Sequence, residues 1–112
     1  MKIAVVGSRD AQALTLDEII AQIPVNTSML LSGGAGGVDT LAEEAARLLH
    51  LPIRVLRPDY QTYGRMAPLL RDNQIVQQAD LVLAFWDGHS PGTAYTLNQC
   101  VQTQTPFRII HL

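Results

Sequence analysis

The chain has one cysteine, Cys100, so no intramolecular disulfide can form and no second cysteine stands at metal-ligand spacing. A reducing, cytoplasmic setting is expected. Charge is scarce as well: charged residues make up 16% of the chain and the net charge is -2, which leaves no basic field to hold a polynucleotide backbone. Long apolar runs are missing from the start, where Ile3 to Val6 is too short for a signal peptide core or a membrane span. An intracellular protein with no membrane partner is expected. Low-complexity tracts, charge blocks and repeats of solenoid length are absent too. Residues 1–112 therefore read as one domain, long enough to bury roughly two thirds of its unfolded surface, and 47% of the residues are hydrophobic.

Against these absences, glycine is concentrated. Ser32-Gly33-Gly34-Ala35-Gly36-Gly37-Val38-Asp39 follows the apolar run Met29-Leu30-Leu31 and opens into an alanine-rich helical pattern. Strand, turn and helix in that order make an anion site, because the first N–H groups of a helix lack intrahelical partners and the helix dipole adds roughly half a positive charge. Four glycines within five residues let the main chain approach a bulky ligand. A Val at Gly34 is expected to fill space meant for that ligand.

The rest of the chain alternates. Lys2 to Val6, Ser28 to Leu31, Ile53 to Leu56, Asp80 to Phe85 and Phe107 to Ile110 read as strands. Thr15-Leu16-Asp17-Glu18 predicts a capping box opening a helix that Pro24 ends. Val38, Leu41, Ala42, Ala45, Leu48 and Leu49 mark a second helix, a third starts near Pro68 and runs to about Ala79, and a last one carries Ala94, Leu97, Cys100 and Val101. Arg57 to Arg65 reads as a long loop suited to covering a ligand. Such alternation predicts an α/β fold, a three-layer Rossmann-like sandwich with a parallel five-stranded sheet of order 3-2-1-4-5. Ligands then sit beyond the carboxyl ends of the strands, where the order reverses. Gly7 to Asp10, Ser32 to Asp39 and Asp87 to Thr93 should converge there. The first of these is not a full dinucleotide fingerprint, and the second lacks the lysine of a P-loop.

Gly7-Ser8-Arg9, Ser32-Gly33-Gly34-Ala35 with Gly37 and Asp39, Tyr63-Gly64-Arg65, Ala79-Asp80 with Phe85, and Ser90-x-Gly92-Thr93 together resemble the YspA/YpsA-related branch of the SLOG superfamily. The resemblance implies a domain for nucleotides or nucleotide-derived ligands, ADP-ribose-like ones included. It implies that Gly33, Gly34, Gly36 and Gly37 wrap phosphate or ribose through backbone N–H groups, that Gly92 and Thr93 do the same from the second turn, and that Ser32 adds a hydroxyl. Arg9 stands where the family has its Arg, suited to a bidentate grip on phosphate. Arg71 matches an Arg of the family's third helix, although Asp72 follows it where Asn is expected. Asp39 suits either ribose hydroxyls or its own helix dipole. Gly7, Ser8, Ala35, Asp87, Gly88 and Ser90 complete the candidate set. Tyr63 and Trp86 are candidates for stacking on a base, and His89 for acid–base work.

Three functions compete: nucleotide binding, as in a sensor; cleavage or transfer of an N-glycosidic bond, as in the related Lonely Guy phosphoribohydrolases; and a DNA-handling module like DprA, which the acidic balance opposes. The Lonely Guy enzymes carry a catalytic Glu three residues after the Thr of the second turn. Thr96 stands there in this chain, so binding without that activity is expected. The closing strand and the apolar face of the last helix suggest a homodimer.

Overall fold

The five strands of the computed structural model, which describes residues 1–10 and 12–112, join in one sheet of order β3-β2-β1-β4-β5. They are β1 (Lys2–Gly7), β2 (Met29–Ser32), β3 (Ile53–Val55), β4 (Leu81–Trp86) and β5 (Phe107–His111). Every pairing is parallel, as the alternation of strand and helix patterns requires. The intervening helices are α1 (Leu16–Gln22), α2 (Val38–Leu48), α3 (Tyr60–Tyr63), α4 (Ala67–Gln78) and α5 (Pro91–Thr103), with a 3-10 turn at Gly64–Met66.

Side chains alternate across a strand, so each central strand feeds both faces. Ile3, Val5, Leu83 and Phe85 pack with Ile19 of α1 and with Val38, Ala42 and Ala45 of α2. Ala4, Val6, Val82 and Ala84 pack on the other side with Ile75 and Val76 of α4 and with Leu97 and Cys100 of α5. The result is the three-layer α/β sandwich, with both faces of β1 and β4 buried. Its strand order reverses at β1, and the turns leaving β1, β2 and β4 share the carboxyl edge of the sheet.

Local details depart from expectation in four places. Thr15 Oγ1 accepts the Glu18 N–H at 3.3 Å, but the Glu18 carboxylate turns to the Thr15 hydroxyl at 3.2 Å instead of closing a capping box on the backbone. The stretch after β3 is wound, not open: Asp59 accepts the Thr62 N–H at 3.2 Å and so caps α3, and the 3-10 turn leads straight into α4. Trp86 completes β4 rather than beginning a turn. Helix α5 starts at Pro91, which lacks an N–H at a position that would leave it unpaired. Gly92 and Thr93 are therefore helical first-turn residues.

Candidate functional site

Ser8 ties the three converging turns together. It is buried; its N–H donates to Phe85 O at 3.2 Å, its carbonyl accepts the Val38 N–H at 3.4 Å, and its hydroxyl accepts the Asp87 N–H at 3.4 Å. One residue thus joins the ends of β1 and β4 to the start of α2. Gly7 beside it must be glycine, since a Cβ would run into Phe85 O and the Val38 side chain.

The turn after β2 is held by the protein's own groups. The Ser32 hydroxyl, fully buried, accepts the Gly34 N–H at 3.3 Å, and Asp39 Oδ2 accepts the Ala35 N–H at 2.9 Å. Arg71 Nη1 donates to Gly33 O at 2.7 Å and Arg57 Nη1 to Gly34 O at 3.3 Å. At the start of α2, Val38 N–H goes to Ser8 O and Asp39 N–H to Gly36 O. Gly37 caps that helix at φ 57°, ψ -117°, a conformation closed to other residues, and a Cβ there would strike the Arg9 backbone. The N–H groups of Gly36 and Gly37 have no acceptor among the described residues, but both glycines lie outside the lining of the cavity between the turns, and the Asp39 carboxylate occupies the helix's positive end.

The turn after β4 is organised differently. Asp87 Oδ1 accepts the N–H groups of His89 and Ser90, both at 2.8 Å, and its Oδ2 accepts the Ser90 hydroxyl at 2.9 Å. These bonds, from Ser90 first and His89 next, pull the Asp87 pKa down to about 2. Ser90 Oγ also lies 2.9 Å from Ser8 Oγ, and Trp86 Nε1 donates to Ser90 O at 3.1 Å. The N–H groups of Gly92 and Thr93, at the head of α5, have no acceptor among the described residues. No acid stands in this first turn, and a Cβ on Gly92 would meet nothing within 4 Å.

Between the turns lies a cavity of about 550 Å³, walled by the β1 turn, the Gly33 and Ala35 segment, one face of α4 and the head of α5. Charged side chains of both signs line it. The β1 turn contributes Arg9, exposed and without a hydrogen bond or ion pair among the described residues, and Asp10, while the head of α5 contributes Gly92 and Thr93. Elsewhere its wall carries Asp39, Arg71 and Asp72, where Arg71 Nε meets Asp72 Oδ1 at 2.7 Å. Burial pushes both carboxyls above the usual carboxylate range, and the Ala35 N–H and Arg71 oppose it at Asp39, as Arg71 and the Thr96 hydroxyl do at Asp72. Arg71 is thus already engaged by Asp72 and Gly33.

Of the residues expected at the site, Gly7, Ser8, Arg9, Gly33, Ala35, Asp39, Arg71, Ser90, Gly92 and Thr93 line the cavity. Ser32, Gly34, Gly36, Gly37, Asp87 and Gly88 lie outside its lining and act on the turns instead. A Cβ on Gly34, at φ 69°, would meet Val55 and Arg57, so a Val there would strain the turn without entering the ligand space. Tyr63 and His89 are exposed and away from the cavity, and Trp86 lines a different groove. Asp72, Asp10, Leu69, Ile75 and Thr96 also line the cavity and were not in the candidate set. Asp72 stands on the buried side of α4, next to Arg71 and far in sequence from either glycine-rich stretch.

Residues 1–63 match the family model described as YAcAr: YspA, cpYpsA-related SLOG family. That span holds β1, β2, β3 and the first glycine-rich turn, and it ends before Arg71 and the second turn. No curated protein and no solved structure matches the chain.

Proposed function

Since the chain belongs to the YspA, cpYpsA-related SLOG family, we propose that it binds a nucleotide or nucleotide-derived small molecule in the cavity at the carboxyl edge of its sheet. The observation that carries this reading is the head of α5: two N–H groups without acceptors, no carboxylate in the same turn, and the unpaired Arg9 on the same cavity. Phosphate belongs there, since donors and dipole both favour an anion. A volume of about 550 Å³ falls in the range of small-molecule sites. The wall bearing Asp39 and Asp72 then takes the hydroxyls or amino groups of the remainder.

Titration calorimetry with adenosine monophosphate, adenosine diphosphate, ADP-ribose and NAD tests the reading, with inorganic phosphate as the control. At least one nucleotide should bind and raise the melting temperature by mass action. Arg9→Ala should weaken that binding about tenfold, or about 1.4 kcal/mol, while leaving the fold unchanged. Saturating amounts of all four ligands giving neither heat nor a thermal shift would overturn it.

One observation favours a second reading, cleavage of an N-glycosidic bond. Thr96 replaces the expected glutamate, yet Asp72 lines the same cavity beside the Thr96 hydroxyl with its pKa raised, as a general acid or base requires. Release of free adenine from adenosine monophosphate, lost on Asp72→Asn, would establish it.

A further inference from the structure

The two edges of the sheet are protected unequally. Strand β3 has only three residues, and its Arg54 is tied across to Gln78 at 2.6 Å; short, charged edges discourage pairing. Strand β5 has five residues. Pro106 O accepts the Val82 N–H and Leu112 N–H donates to Trp86 O, both at 3.0 Å. In a parallel ladder alternate residues bond to the same neighbour, so the peptide groups of Phe107, Ile109 and His111 face away from β4 and have no partner among the described residues.

The side chains of this edge continue the exposure. Phe107 and Ile109 are 39% and 38% exposed and line a groove of about 540 Å³ with Trp86, Leu97 and Val101, the last 61% exposed. No charged side chain lines it. On the opposite face of the strand Arg108 is held by Gln22 at 3.2 Å, clear of the groove.

From this geometry we propose that the β5 edge and the α5 groove join two copies of the chain about a two-fold axis through Ile109. The β5 strands pair antiparallel, Ile109 opposite Ile109 and Phe107 opposite His111 of the partner subunit. The outward peptide groups of Phe107, Ile109 and His111 then satisfy one another, making a continuous ten-stranded sheet from the two five-stranded ones. A second copy is the occupant because it supplies both things the surface needs: an equally uncharged apolar face and an antiparallel edge of the same length. An isologous contact demands that self-complementarity. This interface is independent of what the cavity binds.

Light scattering over a range of protein concentrations reads the mass directly. Ile109→Pro removes only an N–H that points away from β4, so the strand remains in its own sheet while the edge is blocked. Val101→Glu places a charge in the groove at a position exposed enough to leave the fold intact. Wild type should run at twice the monomer mass at high micromolar concentration, and both variants as monomers with unchanged circular dichroism. A wild-type monomer at every concentration, leaving the groove to a partner of other sequence, overturns the proposal. So does an undiminished dimer in a folded Ile109→Pro variant.

Discussion

Two turns rich in glycine leave the same edge of one sheet and start two helices, yet they spend their glycines in opposite ways. In the turn after β2 three of the four glycines are demanded from within: Gly33 lies against the Arg71 guanidinium, Gly34 against Val55 and Arg57, and Gly37 against the Arg9 backbone, while Gly36, at φ 105°, has open space around it. The N–H groups of Val38 and Asp39 are taken by Ser8 and Gly36, those of Gly36 and Gly37 stay without acceptors among the described residues but outside the cavity lining, and Asp39 stands in the same first turn. In the turn after β4, a single carboxylate, Asp87, takes up the turn's donors. A Cβ on Gly88, at φ 84°, or on Gly92 would meet nothing within 4 Å, and Gly92 and Thr93, whose donors stay open, line the cavity. The denser glycine signal thus marks mostly self-packing here, and the sparser turn is the one whose open donors lie on the cavity.

Exchanging glycine for alanine in each turn gives the sharpest contrast. Gly37→Ala forces a Cβ into the Arg9 backbone at a glycine-only conformation, and should cost about 3 kcal/mol or more. Gly92→Ala, in the open first turn of α5, should be neutral or stabilise by about 0.5 kcal/mol. Urea denaturation of both variants measures this. Equal losses at the two positions would erase the distinction between the turns.

Removing the side chain that clamps the first turn should have the next largest effect. Arg71→Ala frees Gly33 O and leaves the Asp72 carboxylate buried without its ion pair. A loss of about 2 kcal/mol is expected, larger than for the unpaired and exposed Arg9. Arg71→Lys should recover only part of it, because one ammonium cannot reproduce the fork that reaches Asp72 and Gly33 together.

Local patterns are legible in the sequence, and contacts between distant segments are not. Strand and helix periodicity is local, so the alternation that implies a parallel sheet is legible directly, and the order and the convergence of Ser8, Gly33 and Ser90 on one edge follow once the fold is taken as doubly wound. Which N–H groups remain free depends on partners far along the chain. Arg71 is 38 residues from Gly33, and Asp87 is 79 from Ser8; no local pattern announces either bond. Asp72 is visible in the sequence as a departure from an expected Asn. Its place beside Thr96 arises from α4 packing on α5, a tie that also includes the Tyr95 hydroxyl donating to Asn73 at 3.0 Å. Trp86 shows the converse: an aromatic next to a glycine-rich turn looks like a base-stacking platform, but β-strand alternation turns it into the groove beneath α5.

The smallest expected difference is electrostatic, and it has opposite signs in the two regions. Asp87 is held below its ordinary value of 3.8, at about 2, by the Ser90 and His89 N–H groups. Its stabilising effect is thus present above the unfolded value and is lost as pH falls through the folded one. Asp39 and Asp72 are raised by burial. For them the sign reverses: their contribution is complete below the unfolded value and is lost as pH rises through the raised folded values. Asp87→Asn should therefore lower the melting temperature at neutral pH, with the gap to wild type closing in acid. Asp39→Asn keeps an oxygen for the Ala35 N–H and removes only the charge that burial penalises, so it should raise the melting temperature at neutral pH and converge with wild type in acid. Thermal denaturation from acid to neutral pH reads both curves. If the two variants shifted in the same direction, the first turn would not be the desolvated, self-contained one, and its glycines would have to be reconsidered as ligand contacts.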